Sequence, residues 1–246
     1  MPANRDFDRL RVVLVATRNP LNLGASARAM SNFGFMQLRV VNPYEVAFRE
    51  ARSAVGAAEL LKNAEEFGSV AEAVADCRLV VGTTAVRHRE LQHRMHALPE
   101  AARQIRRQLQ AGDVALLFGS EKTGLSNESL SHCQWLLRIP TREEHPSMNL
   151  GQAVAVCLYE IARGKPGARI SAQSKTASAG SLERITQEML AALRVSGYLK
   201  AEQGAASDAK VRRMVRRLGL NADDAEVLLG MLKQMLWKMR RSERED

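Results

Sequence analysis

A chain of 246 residues, 46% of them hydrophobic, can bury one α/β core of roughly 150 residues and a smaller helical one, so it needs no disulfide staples to fold. Its three cysteines, Cys77, Cys133 and Cys157, form no CxxC pair and no His/Cys cluster at metal spacing, which argues against a disulfide framework and a metal site and fits a reducing cytoplasm. No apolar run approaches the ~20 residues that cross a bilayer and the N-terminus lacks a signal-like apolar region, while a formal charge of +9 admits polyanionic partners.

From Arg11 to Arg163 short aliphatic runs alternate with helical stretches, the pattern of an open parallel sheet covered by helices. Strands are predicted at 12–16, 38–41, 79–82, 114–119 and 135–139, each mostly aliphatic as a strand buried on both faces must be. Helices are predicted at 23–33, 70–75, 98–110 and 149–162. Residues 164–180 turn to Gly, Ser, Ala, Lys and Pro, with Ile170 the one large apolar side chain, and read as a flexible linker. Beyond it Leu182, Ile185, Met189, Leu190 and Leu193 share a helix face. Ser207 is placed to cap a helix over 208–218, and Asn221 to begin one over 222–240 with an apolar stripe of Val227, Leu228, Met231, Met235 and Leu236. The expected organisation is an α/β domain over 1–163, a linker over 164–180 and a small helical domain over 181–246.

Charge is uneven along this plan. Residues 1–164 carry 20 Lys and Arg against 17 Asp and Glu, whereas 165–246 carry 16 against 10. A basic excess gathered in a small appendage suits contact with phosphates, and it also suits a solubilising surface. Arg212, Arg213, Arg216 and Arg217 fall on one broad helix face, a candidate phosphate track or a solvated face. Tyr198 and Trp237 read as bundle core rather than base-stacking platforms.

Three segments of the first domain carry candidate chemistry. After the first strand comes NxGxxxRxxxxFG at 22–34, a turn that brings backbone donors and Asn22 to the sheet edge and projects Arg28 from the following helix. The strand at 114–119 runs into LFGSExxGLSNE at 117–128, where Gly119 permits close backbone approach and Glu121 and Lys122 put opposite charges at the loop. The third is IPxxxxxPSMNLGQAVAV at 139–156, in which Ser147 or Asn149 is positioned to cap a long apolar helix. Taken singly, each segment is also explained by a helix start, a strand-ending turn or a cap. No GxGxxG phosphate cradle is present.

Order, spacing and strand context of the trio resemble the three motifs of SpoU-type 2′-O-methyltransferases of the SPOUT class. The leading RVVLVATRNPLNLG, VVNP at 40–43 and the charged helical extension are most similar to the members that modify the pyrimidine at position 32 of the tRNA anticodon loop. This resemblance implies a parallel sheet closed by a C-terminal trefoil knot, S-adenosylmethionine as methyl donor, tRNA as substrate, a homodimer whose sites draw on both chains, and no required metal. It implies that Thr83, Thr84, Ala85, Gly119, Ile139, Pro146, Ser147 and Met148 surround the donor. Arg28 would stabilise the developing 2′-oxyanion, Asn22, Ser147 and Asn149 would fix Arg28 and the ribose, and Glu121 would orient the guanidinium. The helix segment 153–161 is either a dimer face or ordinary core. A ribosomal RNA 2′-O-methyltransferase and a catalytically silent RNA-binding protein on the same scaffold are the rival readings.

Overall fold

A computed structural model describes residues 6–53, 59–85, 93–163, 176–199 and 204–245; most of the expected linker lies outside them. Among the described residues seven strands form one wholly parallel sheet: β1 (Leu10–Val15), β2 (Gln37–Val41), β3 (Glu65–Phe67), β4 (Leu79–Thr83), β5 (Arg94–Ala97), β6 (Val114–Phe118) and β7 (Trp135–Arg138), in the order β3-β2-β1-β6-β4-β7-β5. The five predicted strands are the five inner ones. The two that the aliphatic pattern passes over, β3 and β5, are the edges, read EEF and RMHA, and are short and polar as exposed sheet edges commonly are.

Period-two alternation along the inner strands feeds two cores. Leu10, Val12 and Leu14 of β1 join Leu116 and Phe118 of β6 under α1 (Pro20–Phe33), α2 (Glu45–Ser53), α3 (Glu59–Lys62), α5 (Leu98–Ala111) and α7 (Leu150–Ala162). Val13, Val15, Ala115 and Leu117 face the other way, onto α4 (Val70–Ala73), α6 (Asn127–Ser131) and Ala179 at the start of α8 (Ala179–Val195). At roughly 25 cal/mol per Å² such two-sided burial is the main favourable term holding the sheet. α1 and α7 cross closely: a Cβ on Gly151 would lie 2.6 Å from Ala25 Cβ, so glycine sets the interhelical distance. Arg39 of β2, 8% exposed, is held by Asp76 through two bonds of 2.6 and 2.8 Å and by Glu65 at 2.8 Å.

α8, α9 (Gly204–Arg217) and α10 (Ala222–Glu245) share a small core of Ala177, Leu182, Ile185, Val215, Ala225 and Leu229. Residues 176–180, expected as linker, instead anchor this bundle: Thr176 bridges Asn221, Ser178 caps α8, and the amides of Ala179 and Gly180 donate to the Cys77 and Ala75 carbonyls at 2.7 and 2.9 Å. Ser207 lies inside α9 rather than capping it, whereas Asn221 caps α10, its Oδ1 accepting from the Asp224 amide at 2.7 Å. Tyr198 and Trp237 are 75% and 54% exposed, which corrects their placement in the bundle core. Of the α10 stripe only Leu236 is buried; Val227, Met231 and Met235 face outward. No helix among the described residues is long and apolar enough to cross a membrane.

Candidate active site

β6, β4 and β7 are neighbours in the sheet, so the loops leaving their C-terminal ends converge, where open parallel sheets place their ligands. They wall a cavity of about 260 Å³ whose lining includes every one of Thr83, Thr84, Ala85, Gly119, Ile139, Pro146, Ser147 and Met148, together with Glu121. Most of the wall is apolar, with Phe118, Leu125, Leu137 and Leu150 behind the polar rim. The rim is stitched to the sheet by Thr83 Oγ1, which donates to the Leu117 carbonyl at 2.8 Å, and by the Thr84 amide, which donates to the Leu137 carbonyl at 3.0 Å. The loop at 119–125 folds back on itself through the Gly124 amide bonded to the Ser120 carbonyl at 2.8 Å. A Cβ on Gly119 would collide with the Gly124–Leu125 peptide, so this wall is bare backbone and only glycine builds it.

A hydrogen-bonded chain runs from the cavity wall to both helices of the α1–α7 pair. Glu121 accepts from the Arg18 and Asn19 amides at 3.3 Å each and from Asn22 Nδ2 at 2.9 Å. Asn22 Oδ1 in turn accepts from Asn149 Nδ2 at 2.8 Å, and Asn149 Oδ1 caps α7 by accepting from the Gln152 amide. A carboxylate at the α1 N-terminus is favoured by the unsatisfied amides and the helix dipole there. Asn149 rather than Ser147 is therefore the cap, and Ser147 is left free to line the cavity. Immediately before this network the backbone is strained: Ala16 and Asn42, at the exits of β1 and β2, have φ of 53° and 44°.

Asn22, Glu121 and Asn149 are thus brought together, with Ser147 on the adjoining wall. Arg28 is not among them. It is exposed on α1, contributes nothing to the cavity lining within its own chain, and makes no hydrogen bond or ion pair among the described residues. Within one chain Glu121 does not meet it; the carboxylate accepts from the Arg18–Asn22 turn.

The arginine face of α9 is also divided. Arg216, 3% exposed, donates to the Ala179 carbonyl at 3.1 Å and to Glu183 at 3.3 Å; Arg212 binds Glu183 at 3.1 Å and Ser131 Oγ at 3.2 Å. These two corrected members of the expected phosphate track are clamps between α9, α8 and α6. His132 joins the cluster with Nδ1 3.8 Å from Glu183, and burial followed by the charge of Arg212 lowers its pKa. Arg213 and Arg217 have no carboxylate partner among the described residues. Glu183 and His132 were not signalled by the sequence, since a lone glutamate on a helix and a histidine beside a short turn carry no motif.

Comparison with known proteins was consistent across sequence and structure. The SpoU rRNA Methylase family model matches residues 9–159. The tRNA (cytidine/uridine/adenosine-2′-O-)-methyltransferase TrmJ of Pseudomonas aeruginosa is 34% identical over 242 residues, spanning 93% of this chain and 94% of the relative. The tRNA (cytidine/uridine-2′-O-)-methyltransferase TrmJ of Pectobacterium atrosepticum is 33% identical over 236 residues, spanning 93% and 97%. The crystal structure of TrmJ from Z. mobilis ZM4 superposes with a TM-score of 0.80 at 30% identity, covering 92% of this chain and 98% of that one.

Proposed function

Because the chain belongs to the SpoU rRNA methylase family, we propose that it transfers a methyl group from S-adenosylmethionine to the ribose 2′-hydroxyl of a pyrimidine in tRNA. The observation that carries this reading is the single cavity into which all eight expected donor positions fall. The family model ends at residue 159, whereas the tRNA-modifying relatives align through the helical extension, which favours tRNA over ribosomal RNA. The two TrmJ relatives are named for cytidine and uridine, one of them also for adenosine; position 32 of the anticodon loop is the site that the family resemblance implies. Incubating the protein with labelled donor and unmodified tRNA, then identifying nucleosides by mass spectrometry, tests it. 2′-O-methylcytidine or 2′-O-methyluridine is expected; label confined to bases, or none, overturns the reading.

The donor, when bound, supplies an electrophilic methyl on a sulfonium. The cavity fits such a molecule: the bare peptide wall at Gly119 admits a flat ring closely, and Leu125, Leu137, Ile139 and Met148 exclude water from an apolar arm. The nucleophilic oxygen must shed its proton. Arg28 does not take it, because a guanidinium with a pKa above ~12 is a poor acceptor. It instead holds the developing 2′-oxyanion and the neighbouring phosphate, which with water receives the proton. The Glu121–Asn22–Asn149 chain fixes the α1 N-terminus and hence the direction from which Arg28 leaves the helix.

Since Arg28 does not reach its own chain's cavity, a homodimer that brings in the partner's α1 completes the site. Leu21, Val156 and Tyr159, exposed on the paired α1 and α7, form the apolar face for that contact. The trefoil knot belongs to the same reading, with the segment after β7 threading back to place α7 against α1. Three buried free thiols suit a cytoplasmic protein.

A further inference from the structure

We infer that Lys122 recognises the carboxylate on the amino-acid end of the methyl donor, and so selects S-adenosylmethionine with that end intact. The inference rests on the RNA-methylation reading and deepens it by naming the side chain that meets the polar end of the donor.

Among the described residues that wall the cavity, Lys122 is the one cationic side chain. It is exposed in the middle of the Ser120–Gly124 turn and makes no hydrogen bond or ion pair among the described residues. The carboxylate next to it in sequence does not neutralise it, because Glu121 is committed to the Arg18 and Asn19 amides and to Asn22. The turn is fixed on both sides of the lysine. The Gly124 amide donates to the Ser120 carbonyl at 2.8 Å, the Ser120 and Thr123 hydroxyls are bonded to each other at 2.8 Å, and Leu125 behind them is buried. Gly124 supplies the left-handed φ of 68° that closes the turn. A flexible ammonium stem therefore rises from a rigid base at the cavity wall.

The chemistry of the donor supplies the matching anion. One end of the molecule is a flat base, and the other is an amino acid that carries a full carboxylate. Taking that carboxylate out of water without a partner is costly, so it belongs at the polar rim and not against Leu125, Leu137 or Ile139. Between residues 120 and 124 the rim offers two hydroxyls bonded to each other, a glutamate already engaged, and one unpaired cation. A lysine ammonium is a compact charge with three donors, suited to a carboxylate that is itself carried on rotatable bonds. An RNA phosphate is the competing anion; the place of Lys122 in the wall of the donor cavity favours the carboxylate.

The test compares S-adenosylmethionine with its decarboxylated analogue by calorimetry on the full-length protein, in wild type, Lys122→Gln and Lys122→Arg. Lys122→Gln is expected to bind S-adenosylmethionine roughly fivefold more weakly, the scale of a solvent-exposed ion pair, and to bind the decarboxylated analogue with unchanged or slightly higher affinity. The loss shrinks as salt is added, Lys122→Arg recovers most of the affinity, and the Tm of the ligand-free protein stays at the wild-type value. Equal losses for both ligands would mean that the lysine acts on the shape of the turn, and unchanged S-adenosylmethionine affinity would remove it from the site; either result overturns the inference. Weaker tRNA binding with donor affinity intact would assign Lys122 to an RNA phosphate and overturn the carboxylate assignment. A wild-type protein that binds neither ligand would sink the methylation reading together with this one, whereas a wild type that binds both without dependence on Lys122 would sink this one alone.

Discussion

Replacing Glu183 with alanine removes the anion on which α9 is clamped to α8 and α6. Its side chain is 16% exposed and its partners Arg216, Arg212 and His132 are 1%, 12% and 4% exposed, so solvent screens the cluster poorly. Arg216 is already pushed down by burial, with Glu183 the largest opposing influence; without it a buried guanidinium keeps only the Ala179 carbonyl. Breaking a buried pair from one side costs about 3–5 kcal/mol. For a chain of this size that is a fall in Tm of roughly 6–20 °C. Urea unfolding followed by circular dichroism and by Trp237 fluorescence measures it, and Glu183→Gln, which keeps an acceptor, should lose about half as much. A Glu183→Ala variant within 1 kcal/mol of wild type would mean that the cluster is in effect hydrated and that the clamp account is wrong.

The other expectations concern pH, the donor wall and backbone strain. His132 is neutral in the folded protein, so as pH falls below about 6.5 the unfolded chain takes up a proton that the folded one refuses, and stability present above that pH is lost at about 1.4 kcal/mol per unit. Unfolding free energies at pH 7.5 and 5.5 should differ by that slope, and His132→Asn should flatten it; an unchanged slope would remove His132 from the linkage. Gly119→Ala should cut S-adenosylmethionine affinity by at least about tenfold in calorimetry, because its methyl group collides with the Gly124–Leu125 peptide; wild-type affinity would contradict the backbone wall. Ala16→Gly should relieve a left-handed alanine and raise stability by about 1 kcal/mol, seen as a higher urea midpoint; a fall would show that the Ala16 side chain is needed there.

What the sequence made legible follows from what each element must bury. The inner strands β1, β2, β4, β6 and β7 announce themselves because both faces are covered, whereas EEF and RMHA at the sheet edges have little to bury and so no pattern. α7 reads clearly from its apolar length, while α2, α3 and α6 are short or charged and pass unnoticed. In the site, backbone-dominated positions such as Gly119 were legible through their motifs, since few residues tolerate such close approach. Side-chain partnerships were not. Glu121 pairs with Asn22 rather than Arg28, and Arg216 with Glu183 rather than solvent, because register and packing between distant segments decide those contacts. The same applies to α10, where an apolar stripe suggested a buried face and Val227, Met231 and Met235 stand outside.

The claim that two chains build one methyl-transfer site is tested most directly by mixing two inactive proteins. Arg28→Ala leaves a cavity without its arginine, and Gly119→Ala leaves an arginine beside a spoiled cavity. Heterodimers of the two should regain 2′-O-methylpyrimidine formation in tRNA, approaching half the wild-type rate per heterodimer, because one of their two sites escapes both lesions. Mixtures that form dimers yet stay inactive would place Arg28 and Gly119 in the same chain's site and contradict the account.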